Sequence, residues 1–431
     1  MTRPSSSAVK VIRSTHVLTP DGFRAASVHV DGAQIEKVSD WNDVPDGLDI
    51  YDAGHLVVMP GLVDTHVHVN EPGRTEWEGF VNATRSAAAG GITTILDMPL
   101  NSIPATTTAA ALEAKREAAF GKTTVNVEFI GGVVPGNAGD LEGLRDGGVR
   151  AFKCFLTPSG VDEFPNVTEE DLRIAFPILA KLGLPLMVHA EDPSLIRPAV
   201  PSRRYADYLA SRPVEAEHSA IRMMVRLMEW CETPVHIVHL SSASSLGIIR
   251  EARAKGLLLT VETCPHYLTF AAEDIPDGAT EYKCAPPIRD ATEREALWTA
   301  LKDGEIDLIA SDHSPCLPSL KSTGGDFSSC WGGIASLRYS LAAVWSGAKQ
   351  RGIGLEKISH WMSASPARLA GLERRKGQLA AGFDADIIVW DPDDLATPGP
   401  RPGAAVTPYS GMQLNGRVEA TCVAGRLVTD A

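Results

Sequence analysis

Two histidines one residue apart close an apolar run, in Met59-Pro60-Gly61-Leu62-Val63-Asp64-Thr65-His66-Val67-His68-Val69-Asn70. In an extended strand alternate side chains share a face, so His66 and His68 point the same way, at a spacing that suits one metal ion. A surface strand with two solvated imidazoles is the plainer alternative. Val63, Val67 and Val69 fill the other alternation, and a strand apolar on both faces is a buried one.

Four more residues of related chemistry stand at the ends of later apolar runs. Lys153 interrupts Val149-Arg150-Ala151-Phe152-Lys153-Cys154-Phe155-Leu156, and His189 ends Leu184 to His189. His239 closes Val235-His236-Ile237-Val238-His239-Leu240, and Asp312 follows Ile306 to Ser311. Each has an ordinary reading alone: a satisfied core histidine, a lysine that snorkels to solvent, an aspartate that caps a turn. A ligand-type residue or a lysine recurring at the same place in successive strands is harder to ascribe to chance.

Lysine is the odd member, because an ammonium offers only donors and repels a dication. Burial lowers a lysine pKa, and the neutral amine is a nucleophile. Reaction with carbon dioxide would make Lys153 a carbamate (N6-carboxylysine), a two-oxygen anion able to bridge two metals. Charge balance motivates this expectation, since Asp312 is otherwise the only anionic ligand in the set.

The elements that must position these residues are strands alternating with helices. Strands are expected at Leu56 to Val69, Thr93 to Met98, Val125 to Val134, Val149 to Leu156, Leu184 to His189, Val235 to Leu240, Leu258 to Cys264 and Ile306 to Ser311. Helices are expected at Glu76 to Ala89, Thr107 to Phe120, Thr168 to Lys181, Val214 to Trp230, Ser244 to Lys255 and Thr292 to Leu301, with another over Ile334 to Trp345. Such alternation means a parallel sheet, and eight repeats suggest a closed α/β (β/α)8 TIM-like barrel, whose strand C-termini converge on one mouth. An open doubly wound sheet is the alternative, but no glycine-rich dinucleotide fingerprint favours it.

Both chain ends look different. Val28 to Val30 and Gln34 to Val38 flank Asp31-Gly32 as a hairpin. Asp386 to Trp390 and Val418 to Val428, broken at Ala424-Gly425, are also strand-like. Pro392 to Pro408 reads as a long surface loop. The expected organisation is a small β-sandwich built from residues 1–58 and 375–431, around a barrel of residues 59–374.

Composition bounds the partners. The 431 residues carry 40 Lys+Arg against 54 Asp+Glu, a formal net charge of −14, and 44% are hydrophobic. That balance argues against nucleic acid and anionic membrane surfaces. Seven scattered cysteines without a CxxC argue against a disulfide framework. With no apolar leader or membrane-spanning segment, a cytoplasmic protein is expected.

The stretch Pro60 to His68 resembles the opening signature of the cyclic-amidase branch of the amidohydrolase superfamily, and Gly382-Phe383-Asp384-Ala385-Asp386 extends the likeness to the far end. Within that branch, four stretches resemble the allantoinase family: Val69 to Phe80, Asp97 to Pro104, Phe152 to Leu156 with Gly160 to Pro165, and Lys283-Cys284-Ala285-Pro286-Pro287-Ile288-Arg289. The resemblance implies two divalent ions per subunit, zinc above all, although cobalt, manganese, nickel or iron suit the same donors. It implies that His66, His68, Asp312 and Lys153 hold a buried ion, and that carboxylated Lys153, His189 and His239 hold a more exposed one. It also implies hydrolysis of allantoin to allantoate in purine breakdown, with Asp312 carrying the proton, and a homotetramer.

Asn101 is a substrate contact by the same resemblance, with the backbone around Cys284 and Ala285. His266 and His218 are expected to be structural, and His313 to orient Asp312. Dihydroorotases usually carry an arginine where Asn70 stands, and hydantoinases and dihydropyrimidinases a tyrosine shortly after the lysine, where Leu156-Thr157-Pro158-Ser159 has none. Another cyclic amidase and a non-catalytic scaffold protein of the same fold are the competing readings. The scaffold reading is weakened because every expected ligand position is filled.

Overall fold

The computed structural model describes residues 9–397 and 406–428. The N-terminal part supplies five strands: β1 (Val11–Thr19), β2 (Gly22–Asp31), β3 (Gln34–Asp40), β4 (Ile50–Asp52) and β5 (Val57–Pro60). The barrel strands follow as β6 (Leu62–Val67), β7 (Ile92–Asp97), β8 (Asn126–Phe129), β9 (Gly131–Gly132), β10 (Phe152–Phe155), β11 (Leu186–His189), β12 (Val235–Ile237), β13 (Leu259–Thr263) and β14 (Leu308–Ile309). The chain returns with β15 (Ile387–Ala396), β16 (Leu414–Val423) and β17 (Arg426–Val428).

All barrel strand pairs are parallel, in the order β6-β7-β8 and β9-β10-β11-β12-β13-β14. Only Ile130 separates β8 from β9, so together they fill one strand position: Ile130 N donates to Asp97 O on one side and Gly131 N to Ala151 O on the other. The cylinder closes where Val67 pairs in parallel with His313. His68 N donates to His313 O at 2.8 Å, and Ser311 N donates to the Asp64 carboxylate at 3.1 Å. Eight strand positions in a closed parallel ring define an α/β barrel.

Helices cover the outside. Val214–Trp230 lies at its expected bounds, and Glu169–Leu182 starts from a capping box between Thr168 and Asp171. The six-residue helix Leu141–Asp146 was not anticipated, being too short to show a period. The helix expected at Ile334 to Trp345 is instead Ser340–Gln350, because Ile334 pairs with His313 at the barrel seam.

The chain ends meet in one mainly antiparallel sheet, β17-β16-β15-β5-β1-β2-β3, with β4 beside β1. Ile12, Val28, Ile35, Val58, Ile387, Val389 and Cys422 share one buried cluster, so the sheet curls around its own core. The two outer hairpin turns touch: a Cβ on Gly425 would lie 2.1 Å from Gly32 O, which admits only glycine there.

Two expectations are corrected. Leu56 to Val69 is not one strand but two: β5 belongs to the terminal sheet and β6 to the barrel, with Gly61 between them. A Cβ at Gly61 would meet the Thr93 side chain at 2.3 Å, so the crossing point needs a residue without one. The loop expected over Pro392 to Pro408 begins later, since β15 runs on to Ala396 and Trp345 Nε1 donates to Pro392 O at 2.8 Å. Residues 398–405 of that stretch lie outside the described residues.

Candidate metal centre at the barrel mouth

All the candidate ligands but Lys153, which is the second residue of β10, stand at or just beyond the C-terminal end of a strand. His66 is the fifth residue of β6, and His68 follows its last. Lys153 lies in β10 in register with Met187, and Phe155 pairs with His189, the last residue of β11. His239 and Asp312 stand just beyond β12 and β14, both left-handed, with φ of 41° and 45°. Asn70 (φ 68°) and Asn101 (φ 66°) share this conformation. Four of the five non-glycine residues with positive φ among those described therefore sit around this mouth. Such backbone costs about 1–3 kcal/mol per residue and concentrates where side chains must be aimed.

The side chains converge. The His66 ring lies 5.6 Å from His68 and 5.4 Å from His239 between centroids, and His239 lies edge-on to His189 at 4.6 Å. Asp312 Oδ1 is 3.2 Å from His66 Nε2 and 3.6 Å from His68 Nε2. Phe155 stacks on His189 at 4.7 Å and 15° and lies under the Lys153 ammonium, 5.0 Å from the ring centroid. The six predicted ligands are thus brought into one cluster. A cavity of about 550 Å³ opens onto His66, His68, His189, His239 and Asp312, with Lys153 fully buried beneath it.

Three observations bear on whether this cluster fits metal ions. One ligand atom each from His66, His68 and Asp312 can be chosen so that all lie within 4.8 Å of one another, which an ion could draw together. Burial drives the His68 imidazole down to about 4 and that of His239 well below its ordinary value, keeping both neutral as ligation requires. Finally, Lys153 Nζ, His68 Nδ1 and His239 Nδ1 are buried without hydrogen-bond partners. Orphaned polar atoms clustered in one place signal a missing partner. Burial also pulls the Lys153 amine down to about 8, within reach of its neutral form.

Two carboxylates that the sequence reading did not single out hold the imidazoles. Glu262, wholly buried on β13, bonds His66 Nδ1 at 2.5 Å and His236 Nε2 at 2.9 Å, and accepts from His239 N at 3.3 Å. Burial opposes its charge, but His66 and His236 hold its pKa down to about 2. Glu191 bonds His189 Nε2 at 2.7 Å and the Arg212 guanidinium at 2.5 Å, and in spite of burial is also held at about 2. A carboxylate on one ring nitrogen fixes the tautomer and turns the other nitrogen toward the site. Glu191 was legible, two residues after His189; Glu262 showed as a lone acid inside the expected strand Leu258 to Cys264.

The remaining candidates divide. Asn101 and Ala285 line the cavity. Cys284 does not: its thiol donates to Pro286 O at 3.3 Å and its carbonyl accepts from Tyr208 Oη at 2.7 Å. His313 links Glu78 (Nε2 to Oε2, 2.6 Å) with Ser336 N, which donates to its Nδ1 at 2.9 Å; its backbone fixes the seam beside Asp312. His218 bonds Ser244 at 2.8 Å, away from the mouth. Arg74 bonds Asn101 O at 2.9 Å and pairs with Glu163, joining three mouth loops.

The arrangement defines a class. Residues 57–428 match the model of the amidohydrolase family, and the chain belongs to that family. More particularly, it is 50% identical to an allantoinase of Streptomyces avermitilis over 97% of this chain and 95% of that one. It is 44% identical to the allantoinase of Arabidopsis thaliana, over 97% and 87% of the two chains. Among solved structures it is similar to the L-hydantoinase (dihydropyrimidinase) of Arthrobacter aurescens, with a TM-score of 0.93, 30% identity, and 98% and 96% of the chains covered.

Proposed function

We propose that this chain is a metal-dependent cyclic-amide hydrolase that opens allantoin to allantoate. The observation that carries the reading is its near full-length likeness to proteins named allantoinase from a bacterium, a plant and a yeast, at 44–50% identity. Asn70 is consistent with it. Buried, with Nδ2 donating to Pro315 O at 3.2 Å, it brings no positive charge to the mouth. A neutral ring needs none, whereas a substrate carboxylate would call for an arginine.

His66, His68 and Asp312 would hold one ion, and His189 and His239 the other, with Lys153 as a carbamate touching both. Lys153 would form that carbamate by attack of its neutral amine on carbon dioxide, with loss of one proton. Bound divalent ions, zinc by choice of donors, would supply Lewis acidity and a water acidic enough to attack near neutral pH. Glu262 and Glu191 keep the imidazoles turned inward. Asp312 takes the proton of the attacking water and returns it to the departing ring nitrogen, so that one group serves as base and then acid. Asn101 and the backbone at Ala285 would face polar atoms of the ring.

The wider organisation belongs to the same reading: a β-sandwich of residues 1–58 and 375–431 on a barrel of residues 59–374, assembled as a homotetramer in the cytoplasm. No helix among the described residues is long and apolar enough to cross a membrane.

A second reading, a hydantoinase or dihydropyrimidinase, is favoured by the structural likeness to the Arthrobacter enzyme. Parallel assays with allantoin, hydantoin, dihydrouracil and dihydroorotate separate the two. Turnover of allantoin well above the others is expected, and preference for hydantoin or dihydrouracil would overturn the proposal.

A further inference from the structure

Behind Asp312 lie two donors that the proposed reaction does not use, and with Asp312 they make a second group. Cys264, His266 and Asp312 each offer one ligand atom, and these atoms all lie within 4.8 Å of one another. Cys264 and His266 are fully buried. Both ring nitrogens of His266 lack a hydrogen-bond partner, and Tyr267 packs edge-on against the ring at 4.2 Å. A buried imidazole with two orphaned nitrogens is costly unless something completes it. Asp312 lines the cavity, whereas Cys264 and His266 do not.

We infer that Cys264, His266 and Asp312 form an inhibitory site for a soft divalent cation such as zinc or cadmium, one that shares only Asp312 with the cluster of His66, His68, Lys153, His189 and His239. The donor set selects for it. One sulfur, one imidazole and one carboxylate suit zinc and cadmium and do not suit magnesium or calcium, which take oxygen. The Cys264 thiolate would bring a negative charge of its own to offset part of the added dication's. Binding breaks the Cys264 S–H bond, forms a sulfur–metal bond and releases one proton to solvent.

The consequence for activity rests on the role proposed for Asp312: with one carboxylate oxygen toward the resident ion and the other taken by the extra one, it has none left to carry a proton. Excess soft cation therefore slows the enzyme, and removing that ion restores it.

The experiment titrates the protein, with its resident metals in place, with cadmium chloride. Cadmium per chain after gel filtration and the ultraviolet thiolate-to-cadmium band are read separately from allantoin turnover. The parent should take up one cadmium more than Cys264→Ser and His266→Gln, show the band, and lose turnover in step with it. Each variant is compared with its own cadmium-free rate. Cys422→Ser, changed in the terminal sheet, should behave as the parent. Equal cadmium uptake in the parent and both variants, or no thiolate band in the parent, overturns the site. Cadmium bound at the site without loss of turnover overturns the inhibition and, with it, the role given to Asp312, while leaving the site.

Discussion

The two halves of the candidate metal centre are built on different principles. Around His66 and His68 the negative charge is already in place: Asp312 lies 3.2 Å from one ring and 3.6 Å from the other, and Glu262 is bonded to His66 from behind. Around His239 and Lys153 two polar atoms, His239 Nδ1 and Lys153 Nζ, are buried and unpartnered, against one, His68 Nδ1, in the first half. Glu191 supplies a carboxylate to His189, but Arg212 shares and neutralises it. One half therefore takes its negative charge from Asp312 and Glu262, and the other has only the Glu191 carboxylate that Arg212 shares. A carbamate on Lys153 is an anion of the right kind in the right place, and it could serve both halves at once.

The comparison can be broken most severely at Lys153. Lys153→Ala should lose bound metal and allantoin turnover together, and a short carboxylic acid such as propionate should restore part of both; elemental analysis and an activity assay on the same sample read the result. A fully active variant would remove the bridge between the halves. Asp312→Asn comes next. It should keep much of its metal while kcat falls roughly 10²–10⁴-fold, the usual worth of a positioned general acid–base. Near-parental turnover would take the proton away from Asp312.

A finer test sets the two supporting carboxylates against each other. Glu262→Gln touches residues of both halves, His66 through its side chain and His239 through its backbone, and should weaken binding of both ions by about 10–100-fold. Glu191→Gln touches only His189 among the candidate ligands and should loosen one ion of the two. Stepwise chelator competition distinguishes a loss of two ions from a loss of one. Equal behaviour of the two variants would mean that the halves do not differ as described.

Much of this was legible in the sequence because the barrel repeats one physical pattern. Apolar β-branched runs alternate with amphipathic helices, and Val214–Trp230 appeared at its expected bounds because its buried face recurs every three to four residues. The ligand candidates were legible because each is a polar residue that ends an apolar run or, for Lys153, interrupts one. What escaped depends on tertiary packing. Nothing local marks the left-handed turns of His239 and Asp312, which aim those side chains into the mouth. The division of Leu56 to Val69 between two sheets rests on a contact between Gly61 and Thr93, 32 residues apart, that no periodicity reveals. Glu262 was passed over because a lone acid in a strand acquires meaning only when His66, 196 residues away, is seen beside it.

The most direct test of the central claim is to rebuild the centre from metal-free protein, adding zinc in buffer scrubbed of carbon dioxide or in buffer containing bicarbonate. Zinc per chain and allantoin turnover are measured on the same samples. Two ions per chain and full turnover are predicted only where carbon dioxide is present. Complete recovery of both in its absence would contradict the account.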